Sequence, residues 1–128
     1  MPIKYKLQEK AQPGVKGGGN KKWYANIATD GEVSIDDLVK QIEKFSALSE
    51  ADIRGVIIAL ENAIQEALAN SKIVRLDKLG SLYPTLSSGG ADTEKDFNPN
   101  LIKSVDGNYR AGKRILNAMK NAGVEKIK

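Results

Sequence analysis

The sequence predicts an α+β domain, on three observations. First, Ser34-Ile35-Asp36-Asp37 and Ser49-Glu50-Ala51-Asp52 each place a capping hydroxyl three residues before a carboxylate, and each precedes apolar residues at helical spacing. Second, strict alternation of apolar and polar residues at Ile3, Tyr5 and Leu7, and again over Trp23 to Ile27, marks half-exposed strands. Third, the second helix leads straight into the short strand and turn Val74-Arg75-Leu76-Asp77-Lys78-Leu79-Gly80-Ser81-Leu82. That order describes a helical hairpin that delivers the chain into an apolar sheet, with a further helix toward the C-terminal end.

Taken in order, residues 3–28 read as two strands joined by a flexible, lysine-bearing loop containing Pro13-Gly14 and Gly17-Gly18-Gly19-Asn20. The glycine run feeds into Lys21-Lys22-Trp23-Tyr24 rather than a helix N-terminus, so it reads as a linker and not as a phosphate cradle. Ile35, Leu38, Ile42 and Phe45 make the stripe of a helix over about 35–45. Ile53, Val56, Ile57, Leu60, Ile64 and Leu68 extend a second helix to about Ala69. That second stripe is wider than one short helix can cover, which leaves apolar surface for the sheet or for a second copy of the chain, and dimerisation is the economical answer. Ile73 to Leu76 reads as a strand, Gly80 as a turn or bulge, and Leu82 to Leu86 as the next strand, with Pro84 favouring an edge. Leu101 to Val105 is read as a further strand and Asp106-Gly107 as a tight turn. A terminal helix is expected over about 111–122, with Ile115, Leu116 and Met119 inward and Gly123 as its stop.

Composition excludes several classes of function. At 128 residues the chain can close a single core, and 41% apolar content spread along its length argues against global disorder. No apolar run approaches the roughly 20 residues of a membrane helix. The first six residues alternate rather than form a signal-peptide core, so a soluble, cytoplasmic protein is expected. With neither Cys nor His, disulfides, thiolate metal sites and the commonest general base are absent, and the reading is not an enzyme. The charge is unevenly spread. Residues 1–33 carry six basic and three acidic side chains, 34–70 three and seven, 71–91 three and one, 92–109 two and four, and 110–128 six and one. The hairpin is acidic while both ends and the strand at its exit are basic, as suits a protein that turns one face to a polyanion.

Two motif matches fail on their chemistry. Gly107-Asn108-Tyr109-Arg110-Ala111-Gly112-Lys113 has GxxxxGK spacing, but Arg114 stands where a magnesium-binding hydroxyl belongs. Asp92, Glu94 and Asp96 resemble a calcium loop, yet Phe97 occupies the glycine position and Lys103 the place of the bidentate Glu. Asp36 and Asp37 diverge by about a hundred degrees on a helix and suit capping rather than paired catalysis. No cofactor, metal or small-molecule substrate is expected. The basic residues make the stronger case. Lys72, Arg75 and Lys78 lie along the strand leaving the hairpin, with Lys103 further on, and Arg110, Lys113, Arg114 and Lys120 lie on or beside the terminal helix. Such residues give sequence-independent affinity for phosphates. The alternative is that several of them simply pair with the acidic hairpin.

From Ser34 to Ala122 the chain resembles the bacterial histone-like HU and IHF proteins. The resemblance rests on the hairpin with its Leu48-Ser49 turn, on Val74 to Leu82, and on Tyr109-Arg110-Ala111-Gly112-Lys113-Arg114-Ile115-Leu116 at the entry to the last helix. It implies an intertwined homodimer, helices beneath and a sheet above, with two β-arms embracing duplex DNA in the bacterial nucleoid. Phosphate contacts would come from Lys72, Arg75, Lys78, Lys103, Arg110, Lys113 and Arg114. In that family a proline at each arm tip wedges between base steps, and Asn98-Pro99 is the candidate here. This segment departs from the family pattern, with Phe97 before Asn98-Pro99 and net acidic charge from Asp92 to Tyr109. A symmetric hairpin would turn near Lys95 and Asp96, which puts Pro99 off-centre. Residues 1–33 read as an N-terminal β extension and 34–128 as the DNA-binding domain. The alternative reading is a structural or protein-interaction module that kept this fold with little DNA affinity.

Overall fold

Alternation at the N-terminus produces β1 (Ile3–Lys10) and β2 (Lys22–Ile27), an antiparallel pair in which Tyr5 stands opposite Ile27 and Lys10 opposite Lys22. The computed structural model, which describes residues 2–127, closes the connection between them. Gln12 N donates to Gly18 O at 2.8 Å and Gly18 N to Val15 O at 2.9 Å around a 3₁₀ turn at Lys16–Gly18. The expected linker is therefore a loop folded on its own hydrogen bonds. Beside β1 on its other edge lies β6 (Val124–Lys126), paired in parallel with Ile3 opposite Val124, so the sheet order is β2-β1-β6. Ile3 N donates to Gly123 O at 2.8 Å and Ile127 N to Tyr5 O at 2.9 Å. The sequence reading places no strand after Gly123, because three residues carry no periodic signal. The unpaired backbone groups of β1 supply the reason for a strand there.

These elements, the first 35 residues together with those from Leu116 on, make one compact unit, and Asp36–Ile115 makes a second. Within the first, Lys4 Nζ donates to Asp30 Oδ2 at 2.6 Å. That hydrogen bond, with the charge of Lys4, holds the Asp30 carboxyl below its ordinary range and raises the Lys4 ammonium above its own.

The second unit opens on α1 (Ile35–Lys44) and α2 (Glu50–Ala69). At the start of α2, Ser49 and Asp52 complete a capping box, the Ser49 hydroxyl accepting from Asp52 N at 3.2 Å. Arg54 ties the helices together, reaching Asp36 at 2.6 Å and Glu50 at 3.0 Å, and the two carboxylates raise its guanidinium pKa further. Val39 on α1 and Ile53 on α2 are the buried apolar side chains. At the far end of α2, Lys72 N bonds Ala67 O at 3.0 Å and Ser71 N bonds Leu68 O at 3.0 Å. Ser71 sits at φ 63°. This is a Schellman ending with serine at the left-handed position that glycine usually fills.

The sheet of this unit has the order β3-β4-β5 and is antiparallel throughout, built from β3 (Val74–Arg75), β4 (Gly80–Ser88) and β5 (Ile102–Ala111). β3 is shorter than the expected Ile73 to Leu76. Asp106-Gly107 is not a tight turn: both residues lie inside β5, Gly107 opposite Pro84 and Asp106 opposite Thr85. A two-residue turn signal is outweighed here by a ladder that runs unbroken from Gly80 opposite Ala111 to Ser87 opposite Ser104. Because β3 reaches only as far as Leu82, β4 has a neighbour on one side alone at Pro84, and the missing N–H of proline leaves no ladder partner wanting.

Side chains alternate across this sheet. Val74, Leu82, Pro84, Leu86, Val105 and Tyr109 lie on one face and Arg75, Ser81, Tyr83, Thr85, Asn108 and Arg110 on the other. The apolar face is left open toward the arm, where Leu86 is 66% and Val105 70% exposed. Phe45 on the turn after α1 is 88% exposed and Val56 on α2 61%. α3 (Lys113–Asn121) begins two residues later than expected and is followed by Gly123 at φ 75°. Among the described residues no helix is long and apolar enough to cross a membrane.

α3 starts late because Ala111 is still paired in β5, opposite Gly80, and Gly112 N is bonded to Leu79 O. A Cβ on Gly112 would run into the backbone carbonyl of Lys78, and one on Gly80, at φ 120°, into that of Arg110. Gly112→Ala is expected to destabilise the protein by about 1–3 kcal/mol through this overpacking, measured by urea denaturation. Ser71→Gly removes a left-handed non-glycine residue and is expected to stabilise by up to about 1 kcal/mol in the same assay.

Candidate nucleic-acid interface

Four of the seven cations singled out in the sequence, Arg75, Arg110, Lys113 and Arg114, lie where the sheet leads into α3. Arg75 on β3, Ser81 on β4 and Arg110 on β5 stand opposite one another in register, so the three side chains form one row across the polar face. Arg75 Nη1 donates to Ser81 Oγ at 3.2 Å, which aligns the guanidinium along the row. With Ile73 and Tyr83 these residues line a shallow hollow of about 330 Å³. Further along the same face Asn108 Nδ2 donates to Thr85 Oγ1 at 2.9 Å.

The junction at Gly112 sets the next two cations beside that row. Leu79 O accepts hydrogen bonds from the Tyr109 hydroxyl and, at 3.4 Å, from Gly112 N. The chain therefore turns from β5 into α3 within two residues of Arg110, and Lys113 and Arg114 open the helix. Positive side chains in a first turn oppose the helix dipole, and no acidic residue stands there to offset them. Local helix stability does not account for this choice. An anion at the helix entry would, since the free N–H groups, the dipole and both cations would then act together.

The other expected contacts are more dispersed. Lys78 lies in the 3₁₀ turn Asp77–Leu79 that joins β3 to β4. Lys72 follows the C-terminus of α2, where its charge also complements the helix dipole. Lys103 lies at the irregularity in the β4–β5 ladder near Ser88, away from the row. In the arm the chain turns at Thr93 to Phe97, through Asp96 N to Thr93 O at 3.2 Å and Phe97 N to Glu94 O at 3.3 Å. Asn98 and Pro99 lie on the returning limb, where Asn98 Oδ1 accepts from Asn100 N at 2.7 Å and caps the 3₁₀ turn Pro99–Leu101. Gly107 to Ala111, the glycine loop of the GxxxxGK match, is extended strand paired with β4, and its N–H groups alternate between the two edges of β5 rather than converging on a phosphate.

All seven cations are exposed. The salt bridges among the described residues are Lys4 with Asp30 and Arg54 with Asp36 and Glu50, and they use none of the seven. The acidic hairpin thus finds its partner in Arg54, and the cations at the sheet and helix entry keep their charge for solvent or a ligand. Ser81, Tyr83 and Asn108 were not singled out from the sequence. The signal for them is the run Ser81-Leu82-Tyr83-Pro84-Thr85-Leu86-Ser87, whose polar positions alternate.

A family model described as "HU domain fused to wHTH, Ig, or Glycine-rich motif" matches residues 1–126. The chain belongs to the HU-HIG family. The match bears out the HU resemblance and extends it over the N-terminal hairpin. The crystal structure of the "Putative bacterial DNA binding protein" from Bacteroides vulgatus ATCC 8482, at 2.25 Å resolution, superposes with a TM-score of 0.69 at 16% sequence identity. The alignment covers 98% of this chain and 48% of the other, so the chain spans about half the length of that neighbour. At this identity the likeness bears on the fold alone. No curated protein matches the sequence.

Tyr109→Phe removes one of the two donors to Leu79 O without changing shape. It is expected to cost about 0.5–1.5 kcal/mol, read as a lower midpoint in thermal unfolding followed by circular dichroism.

Proposed function

We propose that this HU-HIG chain is a nucleoid-associated protein that binds duplex DNA with little sequence preference, as a homodimer, through its polar sheet face and the entry to α3. The observation that carries the reading is the group formed by Arg75, Arg110, Lys113 and Arg114, exposed and without carboxylate partners at one junction. Lys72, Lys78 and Lys103 would add phosphate contacts around it. Guanidinium and ammonium groups bind backbone phosphates without reading bases, and the neutral donors Ser81, Tyr83 and Asn108 suit sugar and phosphate oxygens. Residues 34–128 supply this surface and 1–33 an appended β hairpin.

Dimerisation is supported by the apolar surface that one chain leaves open, at Phe45 and Val56 in the helical part and at Leu86 and Val105 on the sheet. Two arms of a dimer could then embrace and bend the duplex. If they do, Asn98 and Pro99, exposed beside Phe97, are the side chains that would enter between base steps. One observation favours a second reading, a protein-interaction module with little DNA affinity: the arm turn carries Asp92, Glu94 and Asp96 against Lys95 alone.

Fluorescence anisotropy with a random-sequence duplex, titrated across salt, separates the two. Binding should be tight at low salt and fall steeply as salt rises. In Arg75→Ala/Lys113→Ala/Arg114→Ala the slope of log affinity against log salt should flatten by about 2.7, at roughly 0.9 for each phosphate no longer neutralised. An absence of binding at low salt would overturn the DNA reading in favour of the protein partner. Sedimentation equilibrium should return twice the chain mass.

A further inference from the structure

The two long hairpins of this chain have opposite charge at their ends. The turn of the β4–β5 arm carries Asp92, Glu94 and Asp96 against Lys95, and would be repelled by a polyanion. The outer part of the β1–β2 hairpin carries Lys6, Lys10, Lys16, Lys21 and Lys22 against Glu9. Register puts much of that charge on one side. Lys6 and Lys10 are on the same face of β1, Lys22 stands directly opposite Lys10, and Tyr24 is opposite Gln8 between them. Lys10 Nζ lies 5.9 Å from the centre of the Tyr24 ring, so both side chains occupy that face. Glu9 alternates to the other face with Trp23.

Like charges directly opposite each other weaken a strand pair, yet Lys10 faces Lys22 and neither has a salt bridge among those of the described residues. The salt bridge among the described residues of this unit engages Lys4 and Asp30, near the other end of β1. A polyanion lying along the hairpin would relieve that repulsion. The ladder holds Lys6, Lys10 and Lys22 in register on one face. The face also offers amides at Gln8 and Asn26 and the Tyr24 ring, with no large aliphatic side chain to enter a bilayer.

We propose that the β1–β2 hairpin is a second nucleic-acid contact, gripping the phosphate backbone with Lys6, Lys10 and Lys22, so that the N-terminal hairpin and not the acidic arm turn is the cationic finger of this chain. The proposal rests on the DNA-binding reading above and adds a separate surface to it. The test is Lys6→Gln/Lys10→Gln/Lys22→Gln in the full chain, assayed by anisotropy on a random-sequence duplex across salt, with polyglutamate and phosphatidylserine vesicles as parallel probes. All three lysines are exposed, so the variant should keep the wild-type circular dichroism spectrum. The expected result is a salt slope flatter by up to about 2.7 and weaker binding at low salt. A wild-type slope and affinity in a variant that still binds DNA would overturn the hairpin assignment and leave the sheet and α3 surface standing. Failure of the wild-type chain to bind DNA would remove both. Lysine-dependent binding of polyglutamate or vesicles that exceeds binding of DNA would overturn the choice of ligand.

Discussion

The close crossing of Gly80 and Gly112 is the constraint on which the rest of the second unit depends. Two backbone segments pass each other with no room for a side chain on either, and Leu79 O is bonded from both sides of the β5-to-α3 junction, by Tyr109 and by Gly112 N. This fixes the β4–β5 register at its origin, with Gly80 opposite Ala111. From that origin the alternation of the sheet follows, with apolar residues on one face and Arg75, Ser81 and Arg110 in one row on the other. It also decides where α3 begins, and so where Lys113 and Arg114 stand.

Electrostatics and packing are arranged separately in this molecule. Ion pairs are formed by Arg54 with Asp36 and Glu50 in the helical part, and by Lys4 with Asp30 in the N-terminal sheet. All are solvent-exposed and each contributes little to stability. The cations of the sheet face and the α3 entry stand outside these pairs. Apolar surface follows a similar division: Val39 and Ile53 are buried, while much of the α2 stripe and the outer sheet face is open. Such a chain holds its local geometry through backbone pairing and caps, and leaves both its charge and its hydrophobic area available to other molecules.

The helical hairpin was legible in the sequence because its signals are local. Ser49 and Asp52 make the capping box that their spacing announces, and the helix ends fall within a residue or so of the expected ones. The β1–β2 pair was legible for the same reason. What the sequence concealed depends on partners distant along the chain. Val124-Glu125-Lys126 becomes a strand only because β1 offers an edge, and Asp106-Gly107 becomes strand only because Pro84 and Thr85 lie opposite. The site divides likewise. Its cations were visible as residue types, but the row they form with Ser81, and their distance from Lys103 and Pro99, come from register and from the glycine crossing.

The parallel pairing of Ile3 with Val124 also bears on the order of assembly. Closing that pair brings together positions about 120 residues apart, whereas the β1–β2 hairpin and the helical hairpin close over short loops, which form faster. During synthesis β1 can pair with β2 early, but the edge at Ile3 to Tyr5 stays open until β6 has emerged. Until then that edge, with Leu7 and Trp23 exposed nearby, can pair with a neighbouring chain. The three residues of β6 thus act as a late cover for the edge that β1 offers early.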